Sequence, residues 1–402
     1  MCSPISWKTN SNLIKHPAIM NIPAVFDSIR PYEPSELPAV YDRLLSDSQF
    51  QKVVAFVMPG HDINQVAAMM HACKDNLQFQ RTFCYTFLEQ LLSKASTGCD
   101  MDCEAIDIAQ RYTFVSNHRD IVLDAALLDK LLIDAQCTTT TEIAIGDNLL
   151  TLPWVKDLAR VNKSFIVERS LSPRQMLVAS KRLSEYMHFA VKEKHENLWI
   201  AQREGRAKDS DDRTQPAILK MMAMGGEGDV LQRLLALHIV PLAISYEYDP
   251  CDYLKAAELQ RRRDEEHFQK LPGEDVLSMQ TGIMGYKGKI HYHAAKCIDD
   301  YLLSLPADTP RTELFDMVAE HIDREIHRHY RIYANNYVAL DMLRGDGANS
   351  NHYSAQERKN FEGYIEQQLQ KIQLAQPDWT FLRQQMLLMY ANPLINHLNT
   401  LP

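Results

Sequence analysis

Arg111-Tyr-Thr-Phe-Val-Ser-Asn-His118-Arg-Asp-Ile-Val-Leu-Asp124 is the stretch on which the fold turns. Its first half, with Tyr112, Phe114 and Val115, reads as a buried strand. A short polar turn follows, and a helix is predicted from about Asp120 onward. His118 stands where the strand stops pairing, the place where side chains of an open α/β sheet face a ligand cleft. Asp124 falls in the first helical turn, where free backbone N–H groups and the helix dipole favour a carboxylate. A strand-end imidazole beside a carboxylate is the equipment of a general base. The carboxylate fixes the tautomer and stabilises the imidazolium that forms when a hydroxyl proton is taken. A lone His near an Asp is more often a structural hydrogen bond, so this stretch needs support from elsewhere in the chain. His118-Arg-Asp120 also mimics a kinase catalytic loop, but no Gly-rich loop precedes it and no Asp-Phe-Gly follows.

Working outward, short apolar segments alternate with helical ones from about 104 to 300. Strands are predicted at 111–117, 141–147, 164–169, 197–202, 238–246 and 288–296. The longest helix between them opens at Ser172-Pro173, an N-cap followed by proline at the first helical position, and runs to about Lys194. Further helices are predicted at 228–237 and 251–268. Strands spaced by helices imply an α/β fold with a mostly parallel sheet flanked by helices.

The flanks read as helical. Residues 1–30 are irregular. Pro34-Ser-Glu-Leu-Pro38 opens a helix whose stripe is Tyr41, Leu44, Leu45 and Phe50. Asp62 opens a second helix, with Val66, Met69, Met70 and Cys73. Phe79, Phe83, Tyr85, Phe87 and Leu91 mark a third. After 308 the chain returns to helix at 312–330, 354–374 and 378–399. The organisation expected is a helical region at 1–103, an α/β domain at 104–300 and a helical region at 301–402.

Composition narrows the function. Apolar residues make up 46% of the 402, enough for a sizeable core, and only 14 are glycine, which suits a helix-rich chain. A net charge of −9 gives no reason to expect nucleic-acid binding. The eight cysteines are scattered, and the one close pair, Cys99 and Cys103, has no second pair at zinc spacing. They read as free thiols in a reducing cytoplasm, with no metal site. No signal-peptide pattern and no run of 18 apolar residues are seen, so no bilayer-spanning segment is expected.

Three more strand ends carry polar chemistry. Ser164-Phe-Ile-Val empties into Glu168-Arg169. Leu198-Trp-Ile-Ala-Gln runs into Arg203-Glu204-Gly205-Arg206-Ala-Lys208. Ile239-Val-Pro241 leads to Ser245-Tyr246-Glu247. Residues 155–225 carry 14 Lys and Arg against 9 Asp and Glu. A basic patch in an acidic chain suggests a small anionic ligand, phosphate above all. The plainer alternative is that these arginines pair with Glu168, Glu204 and the Asp209–Asp212 run. His321, Asp323, His327 and His329 share one helix, where Asp323 and His327 can face each other; a solvated polar face is the expectation. His291 and His293 alternate on a strand and are expected on its surface face.

In order and chemistry these segments resemble the glycerolipid acyltransferase family, the phospholipid/glycerol acyltransferases. That family has an Asn-His-x-x-x-x-Asp block, an apolar strand ending in an acidic residue and Arg, a Glu-Gly-Thr-Arg block and a Val-Pro block. This chain offers Asn117-His118…Asp124, Phe165-Ile-Val-Glu168-Arg169, Glu204-Gly205-Arg206 and Val240-Pro241, over about 125 residues. It departs in two places. The family position of the aspartate holds Leu123, and Asp124 lies one residue further on, so the turn must absorb one residue; Asp120 is the fallback partner. The Glu-Gly block is one residue short, which leaves open whether Arg203, Arg206 or Lys208 meets phosphate.

The resemblance implies an acyltransferase with His118 as base and Asp124 as its orienting carboxylate. Arg169, Arg206, Lys208 and Arg203 would hold a phosphate, with Asn117, Glu204, Gly205 and Pro241 nearby. Backbone N–H groups at the helix start after His118 are candidates for the oxyanion. No metal, cofactor or acyl-enzyme is implied. The partners expected are an acyl-CoA or acyl-carrier-protein donor, and glycerol 3-phosphate or 1-acylglycerol 3-phosphate as acceptor. The protein is expected in the cytoplasm, peripheral on the inner face of the membrane, as one of a bacterial subfamily in phospholipid biosynthesis. The helices of 34–95 and the C-terminal helix around Phe381, Met386, Leu388 and Tyr390 are docking candidates, although most of their apolar residues are expected to cover the core. Two alternatives stand beside this: acylation of an amino-acid-containing lipid, and an inactive lipid-binding relative in which the shifted aspartate no longer reaches the histidine.

Overall fold

The computed structural model describes residues 21–169, 171–306 and 308–401. Most of the irregular N-terminal stretch expected at 1–30 therefore lies outside the described residues. Seven strands form one sheet: β1 (Gly98–Asp102), β2 (Thr113–Ser116), β3 (Thr141–Gly146), β4 (Ser164–Val167), β5 (Asn197–Ala201), β6 (Ile239–Tyr246) and β7 (Lys289–Ala294). Their order is β1-β7-β6-β2-β5-β3-β4, and every neighbouring pair is parallel except β6 with β7. The six predicted strands are all present within a few residues of their predicted limits.

Side chains alternate across the sheet as a two-residue period requires. Val115, Leu198, Ile200, Ile239 and Ala243 face one layer, built from helices Pro173–Lys192, Pro216–Met222, Val230–Leu235 and Arg311–Arg328. Phe114, Trp199, Val240, Leu242 and Ile244 face the other, built from Tyr85–Ala95 and Leu123–Asp134. The N-terminal helices bury Leu37, Tyr41, Leu44, Val66 and Met70 in a cluster of their own. The C-terminal helices bury Val338, Phe361, Leu382, Met386 and Leu394 in another.

Three expectations change. First, the helix opening near Pro34 does not run on to Phe50. It ends at Ser46, and Asp47 caps a second helix, Ser48–Val57, accepting from Gln49 N at 2.8 Å and Phe50 N at 3.0 Å. Second, β1 lies before position 104, in a stretch read as free of strand. Two aspartates in five residues argue against a strand locally, but the register sets Asp100 opposite His291 and Asp102 opposite His293.

Third, that pairing overturns the surface reading of His291. It is buried at 4% exposure and bonds to Asp100. His293 lies 3.3 Å from Asp102 and stacks on His329 with ring centroids 4.0 Å apart. As expected for most apolar residues of the C-terminal helix, Met386 and Tyr390 are buried, and Phe381 and Leu388 are half-buried, so this helix packs inward. No helix among the described residues is long and apolar enough to cross a membrane.

Candidate active site

β2 ends at Ser116, but its neighbour β6 continues to Tyr246. Asn117 fills the gap. Its amide donates to Ile244 O at 2.9 Å and accepts from Ile244 N at 2.8 Å, so a side chain stands in for the missing strand residue. The next residue, His118, is thereby aimed off the carboxyl end of the sheet. Trp199, on the adjoining β5, meets its ring edge-on at 5.8 Å and is itself held by a 3.0 Å bond to Ser116 Oγ.

The extra residue between His118 and the aspartate is absorbed in the turn. Asp120 caps the helix start, accepting from Val122 N and Leu123 N, both at 2.8 Å. Asp124, fully buried, folds back over that turn. Its Oδ2 lies 2.8 Å from His118 Nδ1 and also accepts from Arg119 N at 2.6 Å and Asp120 N at 3.0 Å. His118 therefore carries Nδ1–H toward Asp124, and Nε2 has no hydrogen-bond partner among the described residues. Asp120 does not contact the imidazole as a fallback base partner. Burial first, then the neighbouring Asp124 charge, push its carboxyl above the usual range. Of the backbone N–H groups considered for an oxyanion, four are taken: Arg119 and Asp120 donate to Asp124, and Val122 and Leu123 to Asp120.

The turn after β5 lies beside β2 and brings in the basic residues. Gly205 has φ +69°, a left-handed conformation that glycine adopts without strain. Arg206 is buried close to Asp120, Asp249 and Cys251, and its Nη1 has no partner among the described residues. Gln202 Nε2 and Arg203 Nε are likewise buried and unpaired there. Lys208 bonds to Glu258 Oε2 at 2.8 Å, and burial, with Arg206 nearby, lowers its pKa to about 8.

Arg169 stands apart. It leaves β4, three strands from β2, and pairs with the exposed Glu204 at 3.3 Å. Glu168 is taken by Arg182, and Asp211 by Arg213. The ion-pair reading of the basic patch thus describes most of it, with Arg206 the main departure. Pro241 sits opposite Val115 inside the sheet, below the site rather than at it.

Sequence reasoning missed the support beneath this turn. Arg119 is buried and meets Asp212 at 2.7 Å, with the Tyr330 ring 5.6 Å away. Tyr330 donates to the same carboxylate at 2.5 Å, and His327 Nε2 bonds to Asp212 O at 2.8 Å. Asp323 accepts from Thr214 N at 2.7 Å and from its hydroxyl at 2.6 Å. Asp323 and His327 therefore do not form a pair on a solvated face; both grip the turn that carries Arg206 and Lys208. The one available signal was the basic residue immediately after the histidine.

Comparison with known proteins fits this geometry. The family model described as Acyltransferase matches residues 101–245, a span that takes in β2 to β6 and His118, Asp124, Arg169 and Arg206. Over this stretch the chain is similar to that family. Among curated protein sequences none matches the chain. A solved structure with some likeness is the 1-acyl-sn-glycerophosphate (LPA) acyltransferase PlsC from Thermotoga maritima. It is 12% identical, with 74% of this chain and 97% of that one covered and a TM-score of 0.34. The matched stretch is flanked by helices on both sides. The helix Arg311–Arg328 beyond its C-terminal limit covers part of its sheet and holds its β5 turn.

Proposed function

We propose that this acyltransferase moves a fatty acyl group from an acyl-CoA or acyl-carrier-protein thioester to a hydroxyl of glycerol 3-phosphate or 1-acylglycerol 3-phosphate. The observation that carries the reading is the 2.8 Å contact between His118 Nδ1 and Asp124 Oδ2 at the carboxyl end of a central strand. An alcohol is a weak nucleophile toward a thioester and needs a base at the moment of attack. His118 Nε2 takes the hydroxyl proton as the oxygen attacks the thioester carbonyl. Asp124 holds the ring and offsets the imidazolium charge. The tetrahedral intermediate then expels the thiolate, which receives the proton. No acyl-enzyme forms, and the only co-substrate is the acyl donor.

Four N–H groups of the turn after the histidine are already taken, and donors for the oxyanion and the acceptor phosphate are assigned to the β5 turn. Arg206 Nη1, Arg203 Nε and Gln202 Nε2 are the buried unpaired donors there. Arg206 and Arg203 carry charge that suits phosphate, and Lys208 adds to it. Arg169, half-exposed and three strands away, is assigned to the outer part of an acceptor and gives up Glu204 on binding. The contact at His118 also favours an active enzyme over an inactive lipid-binding relative, which the shifted aspartate had suggested.

The test is thioester turnover by the full chain. Palmitoyl-CoA and acyl-carrier protein serve as donors, with glycerol 3-phosphate, lysophosphatidate and an acyl-amino acid as separate acceptors. Thiol release that depends on a phosphorylated acceptor and vanishes in His118→Ala is the expected result. Release with the acyl-amino acid alone would move the acceptor to amino-acid lipids. Equal release by the mutant would remove His118 as the base.

A further inference from the structure

Acyl transfer uses nothing at the amino-terminal end of β6. There His238, Cys297 and Asp299 converge, and one side-chain ligand atom from each lies within 4.8 Å of the other two. The residues come from two connections that the sheet brings together. His238 ends the turn after helix Val230–Leu235 with φ +46°, and its carbonyl accepts from Thr113 N at 3.2 Å. Ile298 N donates to Ile239 O at 2.9 Å, which fixes the flanking Cys297 and Asp299 beside His238.

His238 Nδ1 lies 2.6 Å from Asp299 Oδ2. The second carboxylate oxygen, Oδ1, is shielded from solvent and accepts no hydrogen bond from the described residues. Cys297 is a free, half-buried thiol. Reading the cysteines as scattered thiols holds along the sequence, because His238 and Cys297 are 59 positions apart.

We propose that these three side chains form a zinc-binding site, with thiolate, imidazole and carboxylate ligands and a fourth position open to water. Thiolate, imidazole and carboxylate bind Zn²⁺ at about 2.0–2.3 Å, so ligand atoms around one tetrahedral ion stand roughly 3.3–3.8 Å apart. The cluster brackets that spacing: its ligand atoms lie within 4.8 Å of one another and the His238–Asp299 contact is shorter, at 2.6 Å, so the side chains shift by about an ångström to share one ion. Magnesium and calcium take oxygen ligands and are poorly served by sulfur and nitrogen. Binding releases the thiol proton to solvent, the ring proton of His238 resides on Nε2 so that neutral Nδ1 meets the ion, and two metal bonds replace the His238–Asp299 hydrogen bond. The half-exposed His238 provides a route of entry.

Thr113 pairs with Ile239, and His118 lies five residues beyond Thr113. At about 3.3 Å per residue the ion would sit roughly 17 Å from the catalytic histidine. It would tie the turn before β6 to the connection after β7 and stabilise the fold by mass action, taking no part in acyl transfer.

The test uses metal-free full-length protein titrated with Co²⁺, read in the near-ultraviolet and visible. One equivalent should bind with a sulfur-to-cobalt charge-transfer band and tetrahedral ligand-field bands, and Zn²⁺ should displace it. The band should vanish in Cys297→Ala and persist in a Cys99→Ala, Cys103→Ala double variant. Because the half-buried Cys297 packs partly against the core, the half-exposed His238→Gln provides a second variant, expected to lose at least about tenfold in affinity. Zinc should raise Tm in the parent and not in His238→Gln. No charge-transfer band at stoichiometric cobalt, a band that survives Cys297→Ala, or unchanged affinity in His238→Gln would each overturn the site.

Discussion

The Asp124 carboxylate reaches back across its own helix start to bond His118 Nδ1 at 2.8 Å, and the same oxygen collects the backbone N–H groups of Arg119 and Asp120. One oxygen thus orients the imidazole and shapes the loop that carries it. His118→Ala should lower acyl transfer about 10²- to 10⁴-fold, the range for loss of a general base. Asp124→Asn should also lower kcat, with little change in the KM of the thioester. Steady-state kinetics on both variants checks this.

Asn117 tests whether the strand extension matters. Asn117→Ala removes both bonds to Ile244 and leaves that peptide's N–H and C=O buried without partners. The cost should be about 1–3 kcal/mol for each orphaned group, read by urea unfolding. At temperatures where the variant stays folded, kcat should fall more than KM rises, because the imidazole loses its aim.

Arg206→Gln removes the buried guanidinium near Asp120, whose Nη1 has no partner among the described residues. The KM for a phosphorylated acceptor should rise by roughly tenfold or more, with the donor KM little changed, since a charge-assisted bond contributes about 1.5–3 kcal/mol. Arg169→Gln should show a smaller effect, because that side chain is half-exposed and already paired. A larger loss in Arg169→Gln than in Arg206→Gln would reverse the assignment.

The Arg119–Asp212 pair should behave as a buried ion pair. Asp212→Asn leaves the guanidinium without its counter-charge among Tyr330 and the turn backbone. Breaking such a pair costs about 3–5 kcal/mol, and Tm should drop accordingly. Burial of Asp212 is complete, so salt should not reproduce the effect.

His293 gives a pH dependence of stability. Burial first, then the adjacent His329, lower its pKa to about 4 from an ordinary 6.5, against the opposing pull of Asp102 and Glu325; His291 also lies close. Between these values the unfolded chain holds the proton and the folded chain does not. Stability is therefore full above pH 6.5 and falls as pH drops toward 4, by about 1.4 kcal/mol per unit for one such group. His293→Gln should flatten that slope by about one proton in denaturation at several pH values. The lowered His291 contributes in the same direction and should remain.

The pattern of buried strand, polar turn and helix was legible because each signal is local. Phe114 and Val115 alternate faces, Pro173 opens its helix, and Asp62 caps another with Gln65. β1 was not legible, because Asp100 and Asp102 disfavour a strand until His291 and His293 are set opposite them from 191 residues away. The break at Asp47 was legible in principle, since an Asp before a helix is a cap, but the apolar stripe running across it obscured the stop.

The site divides in the same way. The sequence by itself determined that a histidine stands at a strand end with a carboxylate one turn on, and that arginines follow the next strands, because residue type and periodicity act over a few positions. Only the tertiary structure decided that the turn absorbs the extra residue, that Asp120 caps while Asp124 orients, and that Arg169 and Arg206 part company. It also set Asp323, His327 and Tyr330 beneath the β5 turn and brought His238 to Cys297. Each of these depends on strand order and on hydrogen bonds between residues distant in the chain, and a buried polar group chooses its partner only when the fold removes water as the alternative.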